Sequence, residues 1–355
     1  MDQNFIGITA LTDFFQNEGV GLVLDRLVQA GATAVACNPT VTAPAAEGEG
    51  SFQPPTDAGQ SVRLFDRPLW GQRSLWVQSA PSYRPRHSIY QDCPYQPRTA
   101  TELTVEQGAI VHEILNQAHR RRLKVYFQLG AAQPPGLRDE DLPLLPDGSL
   151  PQGRMANTAS LASEAVRAYN RCYVADLLRE YPDLDGIRVD WPEYPCYTLD
   201  ELFADFSPHA EAFAVARGYD FARMRSEVGA LRSLLLDDLH DFELSRMLDF
   251  GVDNYGPLVA LSRYPGIADW LRLKADLSAD LLRDWREALD AAGGRAVELS
   301  ANAFAPPWSA LTGLDPRRAG EYCTSVSTKL YTMHWALMVK LWGERILQSN
   351  GPLNE

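Results

Sequence analysis

Asp185-Gly186-Ile187-Arg188-Val189-Asp190-Trp191-Pro192-Glu193-Tyr194-Pro195 is the stretch whose reading decides the fold. Gly186 suits a helix end, residues 187–191 read as a short buried strand, and Pro192, which has no amide proton, stops it. Strand side chains alternate, so Arg188 and Asp190 share one face while Ile187 and Val189 take the other. A charged pair on one face of a central strand is costly unless that face opens onto a polar cavity. Asp190 therefore reads either as a working acid at a strand end or as half of a structural Arg–Asp pair.

Outward from this strand, the chain alternates strand and helix. Upstream, residues 5–10 and 33–37 read as strands one and two, with an amphipathic helix over 20–30 between them. Residues from about 39 to 103 break the rhythm. They are rich in Pro, Gly and Ser, and the apolar runs 61–65 and 74–78 predict a hairpin there. Thr104 with Gln107 predicts a capping box for the next helix, and 123–129 is strand three, with Tyr126 and Gln128 on one face. The helix over 159–180 then leads into strand four. Downstream lies a second insertion, about 196–262, read as helices over 199–217 and 221–250. A helix over 266–292 follows, then strand five over 295–301, strand six over 323–331 and a closing helix over 335–347.

This alternation predicts a parallel α/β protein. No Gly-rich phosphate loop is present, and several strands carry one polar face (Tyr126, Gln128, Arg188, Asp190, Glu298, Asn302, Lys329). Both points favour a TIM-type (β/α) barrel, one domain over 1–355, with long insertions after strands two and four. About six strand–helix units are counted where a complete barrel has eight. Strands hidden in the insertions, an incomplete barrel or a chain lacking its C-terminal part would each account for the difference.

Composition narrows the partners. A formal net charge of -13 offers no basic stripe for nucleic acid, and no apolar run is long enough for a bilayer. Met1-Asp2-Gln3-Asn4 lacks the basic region of a secretory signal. The five cysteines show no C-x-x-C spacing, which predicts reduced thiols, a cytoplasmic setting and no zinc site; no cofactor is expected. The oligomeric state is not legible.

In a barrel the C-terminal strand ends form the active face, which gathers Gln128, Asp190, Asn302, Tyr331 and His334, with Glu298 slightly deeper. Lys329 and Tyr331 point to the same face, and Trp191, Tyr194, Trp308 and Trp335 follow strand ends, where aromatic faces stack on sugar rings. Two carboxylates on one concave face are what glycosidic cleavage needs.

The stretch from Tyr181 to Pro195 resembles the glycoside hydrolases of barrel fold, whose fourth strand reads D-G-I-x-x-D-W/Y-x-R-Y-P. Gly186-Ile187-Arg188-Val189-Asp190 is also similar to the strand-four motif G-x-R-x-D of the α-amylase superfamily, whose final Asp is the nucleophile. The resemblance implies a carbohydrate substrate, Asp190 as nucleophile or catalytic acid, Arg188 as its positioning cation and Glu298 as proton donor. Gln128, Arg188, Trp191, Glu193, Tyr194, Asn302, Lys329, Tyr331, His334 and Trp335 form the expected substrate-binding set. The chain departs from the patterns at Glu193, where the hydrolases have Arg, and it lacks the amylase Asp-Asn-His of strand three and Asn-His-Asp of strand seven. Two other readings compete: a metal-dependent sugar isomerase or epimerase of barrel fold, and a non-catalytic carbohydrate-binding barrel. The first needs Glu, Asp and His ligands at several strand ends, and strands one to three supply none.

Overall fold

Six parallel strands pair in chain order in the computed structural model: β1 (Gly7–Thr9), β2 (Ala34–Cys37), β3 (Lys124–Gly130), β4 (Gly186–Asp190), β5 (Glu298–Phe304) and β6 (Ser325–Lys329). The structure describes residues 5–54, 56–57, 61–62, 64–242, 244–245, 262, 264–329, 332–351 and 353, with the backbone alone for 56–57, 61–62 and 332–334. The sheet is curled into a half-barrel, compatible with part of a TIM-type barrel. Its curvature is visible in one contact. Arg188 Nη2 of β4 donates to Thr9 Oγ1 of β1 at 2.6 Å, although β2 and β3 lie between those strands.

The two faces follow the alternation read from the sequence. Val35, Val125, Phe127, Ile187, Val189 and Leu299 point outward, are fully buried, and join the main core with helix residues such as Leu24, Ile114, Leu177 and Trp285. Each such side chain stabilises the fold by about 1.5–3 kcal/mol. The inner face is polar: register aligns Gln128, Arg188, Ser300 and Ser325 in one row, and Gly130, Asp190, Asn302 and Ser327 in the next. Ala34, Ala36 and Tyr126 make a small separate apolar patch below them. Gly186 is required there, because a Cβ on it would lie 2.3 Å from the Tyr126 ring.

Several local expectations are corrected. Strand Leu75–Pro81 does not pair with 61–65. It is the centre of a three-stranded antiparallel sheet between Thr40–Pro44 and Ser51–Gln53, while Ser61–Val62 pairs with Thr56–Asp57. Gly50 makes that sheet possible, since its φ is +75° and a Cβ would meet the Val77 carbonyl oxygen at 2.1 Å. The capping box belongs to Thr101 and Thr104, one turn before the expected position. The helix expected over 199–217 is two, Leu199–Leu202 and Pro208–Ala216, because Ser207 caps a new start with Pro208 in its first turn. Helix Phe221–Leu236 ends early, and 243 and 246–250 of the expected 221–250 lie outside the described residues. Helices Glu164–Glu180 and Pro265–Ala291 lie near their expected positions and pack on each other. All five cysteines are free thiols. Among the described residues no helix is long and apolar enough to cross a membrane.

Candidate active site

Asp190 ends β4 with its side chain on the inner face, 6% exposed. Register puts it level with Asn302 of β5, and the neighbouring strands supply its partners. Oδ2 accepts from Gln128 Nε2 at 3.2 Å; Oδ1 accepts from Asn302 Nδ2 and from the Trp191 amide, both at 3.1 Å. Lys329 Nζ of β6 lies 2.6 Å from Oδ1. Ser327 Oγ donates to Asn302 Oδ1 at 3.1 Å, which orients that amide with its nitrogen toward the acid. The counter-cation assigned from sequence to Arg188 is thus supplied by Lys329, while Arg188 holds Thr9 and the Gln128 carbonyl oxygen.

Lys329 is buried, a correction to its expected place among substrate-binding groups. Its ammonium stands 4.2 Å from the Trp191 ring centre and 4.9 Å from that of Phe304, so one carboxylate and two π faces balance it. Trp191 has φ +50°, a left-handed backbone that is an outlier for a bulky side chain and costs about 1–3 kcal/mol. Strain of this kind concentrates at functional sites.

Glu193 lies beneath this cluster and is fully buried, which removes it from direct contact with a ligand. Its Oε1 accepts from the Phe304 amide at 2.9 Å. Burial pushes its pKa up to about 8; Lys329 and the Phe304 amide pull it down, and Asp190 adds a small upward push. The burial of Glu193 thus favours its protonated form, and Asp190 has Lys329 as its counter-ion.

Glu298 is placed differently from the expectation. It begins β5, level with Gly186 and four residues before Asn302, at the opposite end of the inner face from Asp190. It accepts from Tyr126 OH and pairs with Lys124 Nζ. Burial acts to raise its pKa, but the hydrogen bonds from Lys124 and Tyr126 outweigh it and hold the carboxyl below its ordinary value. That shift runs against a proton donor, which must keep its proton near neutrality.

The expected aromatic rim is not assembled either. Tyr194 is fully buried, donating to Asp205 and accepting from the Leu161 amide. Trp335 packs edge-on against Trp308 at 6.1 Å, and Trp308 against Trp342 at 4.9 Å. Only Trp191 stays beside the acid, with Nε1 donating to Tyr197 OH. Tyr331 lies outside the described residues, as does the side chain of His334.

A cavity of about 390 Å³ opens beside the cluster, between the C-terminal ends of the first three strands and the antiparallel sheet of the 39–103 excursion. Gln128 and Gly130 are among its lining residues; Asp190 is not, but is joined to the lining through its hydrogen bond from Gln128. Asp13 lines it and was missed from sequence. Its signal was present, since it follows Thr9, the last residue of β1, by four positions. Among the described residues no group of three or more His, Cys, Asp or Glu side chains gathers as a metal site.

No protein-family model matches the chain, and no curated protein matches it. Solved structures do. The β-galactosidase from the psychrophilic Marinomonas ef1 is similar with a TM-score of 0.51 and 15% identity, over 92% of this chain and 41% of that one. The polyextremophilic β-galactosidase from the Antarctic haloarchaeon Halorubrum lacusprofundi gives 0.48 and 12%, over 92% and 40%. This chain spans less than half the length of either, and the likeness to the first is a likeness of fold.

Proposed function

We propose that this chain is the half-barrel part of a glycoside hydrolase in which Asp190 is the working carboxylate, as the amylase-like strand motif implies. The observation that carries the reading is the placing of Asp190 at the C-terminal end of a central parallel strand. There Gln128, Asn302 and Lys329 from three other strands fix its oxygens, next to an open cavity. A carboxylate held in this way is pre-oriented, which is what attack on an anomeric carbon or activation of water requires. The fold shared with the Marinomonas β-galactosidase supports a glycoside as substrate, and a β-galactoside as the first to try. Fold alone does not specify function, so the chemistry of the site carries the assignment.

The test is turnover of aryl β-galactosides and a panel of other aryl glycosides by the wild-type protein and by Asp190→Asn. Loss of about a thousandfold or more in kcat, with the melting temperature preserved, is the expected result for a carboxylate that takes part in bond cleavage. Full activity in Asp190→Asn would remove Asp190 from the chemistry. Sugar binding without turnover in the wild type would favour the non-catalytic barrel.

A further inference from the structure

The lining of the cavity beside Asp190 is chemically selective. It contains one acid, Asp13, and one base, Arg98, set among the side-chain amides of Asn38, Gln53, Gln128 and Gln133. Its volume of about 390 Å³ falls within the roughly 300–1,000 Å³ of small-molecule sites. A phosphate or carboxylate ligand would call for a cluster of cations, which this wall lacks; its apolar half, with Tyr83, Tyr169 and Tyr173 among prolines, and its hydrogen-bonding half together suit a ring with both apolar faces and hydroxyl groups. Side-chain amides donate and accept, as hydroxyl groups do.

Asp13 is the distinctive group. Among the described residues the only neighbour whose amide donates to its side chain is Phe14, at 2.9 Å, and no cation pairs with it. Burial raises its pKa, with its own turn's amides pulling the other way. A partly desolvated carboxyl without a counter-ion, facing a polar cavity, has free acceptor capacity that sugar hydroxyls can fill.

We infer that this cavity is a subsite for one neutral, polyhydroxylated ring of the substrate, with Asp13 as the residue that recognises its hydroxyl groups. The inference rests on the glycosidase reading, and it assigns a role to the 39–103 excursion as the outer wall of the subsite. Gln128 links the two places, since this lining residue of the cavity also donates to Asp190.

Binding of D-galactose and of lactose, followed by saturation-transfer NMR and titration calorimetry, tests it without needing turnover. Wild type and Asp190→Asn should both bind. Asp13→Asn should weaken binding about tenfold or more, as loss of a charged hydrogen-bond acceptor does. Ser79→Trp, which fills the cavity from the opposite wall, should give the same loss and serves if Asp13→Asn does not fold. Unchanged binding in Asp13→Asn and Ser79→Trp, or no binding of either sugar to wild type, overturns the inference. The Asp190 assignment fails by a separate result, full turnover in Asp190→Asn.

Discussion

The inner face of the half-barrel carries a carboxylate–lysine pair at each end. The side chains of Asp190 and Lys329 are 9% and 3% exposed at the C-terminal end; those of Glu298 and Lys124 are 26% and 48% exposed at the other. The chemical groups are the same, but their surroundings are not. Around Asp190 two neutral amides, two aromatic faces, a buried Glu193 whose pKa is raised and a left-handed Trp191 are packed together. Around the Glu298 carboxylate the only further hydrogen bond among the described residues comes from Tyr126, and solvent screens the pair. Desolvation makes charge expensive and geometry strict at one end, and leaves the other as an ordinary surface pair.

Replacing Lys329 with Met should have the largest effect, because it leaves a buried carboxylate unpaired at a cost of about 3–5 kcal/mol. Urea unfolding checks this, and adding Asp190→Asn to Lys329→Met should return part of the loss. A cost below about 1 kcal/mol would mean that the two pairs are equivalent after all.

Glu193→Gln sharpens the comparison through pH. The unfolded chain gives up this proton near the ordinary value of 4.5, while the folded protein keeps it to about 8. Across that window the folded state binds more protons, so Glu193 makes stability fall with rising pH, by at most about 1.4 kcal/mol per pH unit. Melting temperatures measured between about pH 5 and pH 8.5 should lose that contribution to the slope in Glu193→Gln. An unaltered slope would show that Glu193 ionises normally.

Glu298→Gln should have the smallest effect, up to about 1 kcal/mol. Its folded pKa is lowered, so its contribution is present above the ordinary value and fades as the pH falls through the folded value. Turnover should be unchanged.

These contrasts mark where sequence reading stops. Alternation within a strand is local, so the split between Ile187 and Val189 outside and Arg188 and Asp190 inside could be read directly from the residues. The partner of Asp190 depends on sheet register, which joins residues more than a hundred positions apart and is not encoded in any short window. Alternation also fails past the strand end. The positive φ of Trp191 breaks the extended backbone, and Glu193 and Tyr194 end up in the core rather than on the rim. Asp13 escaped because it lies in the first turn of the short helix Thr12–Glu18, just beyond β1, where strand periodicity assigns no face. The excursion was misread for a similar reason: its central strand pairs with segments on both sides that have no turn signal in common.

The reach of Arg188 to Thr9 has a practical corollary. An open sheet of six strands has no covalent reason to keep one radius of curvature, and here a single guanidinium works as a tie-rod between walls that do not adjoin. Anyone transplanting this scaffold, or shortening its first strand, should move Arg188 and Thr9 as a unit, because the bowl's shape is written partly in that one strut.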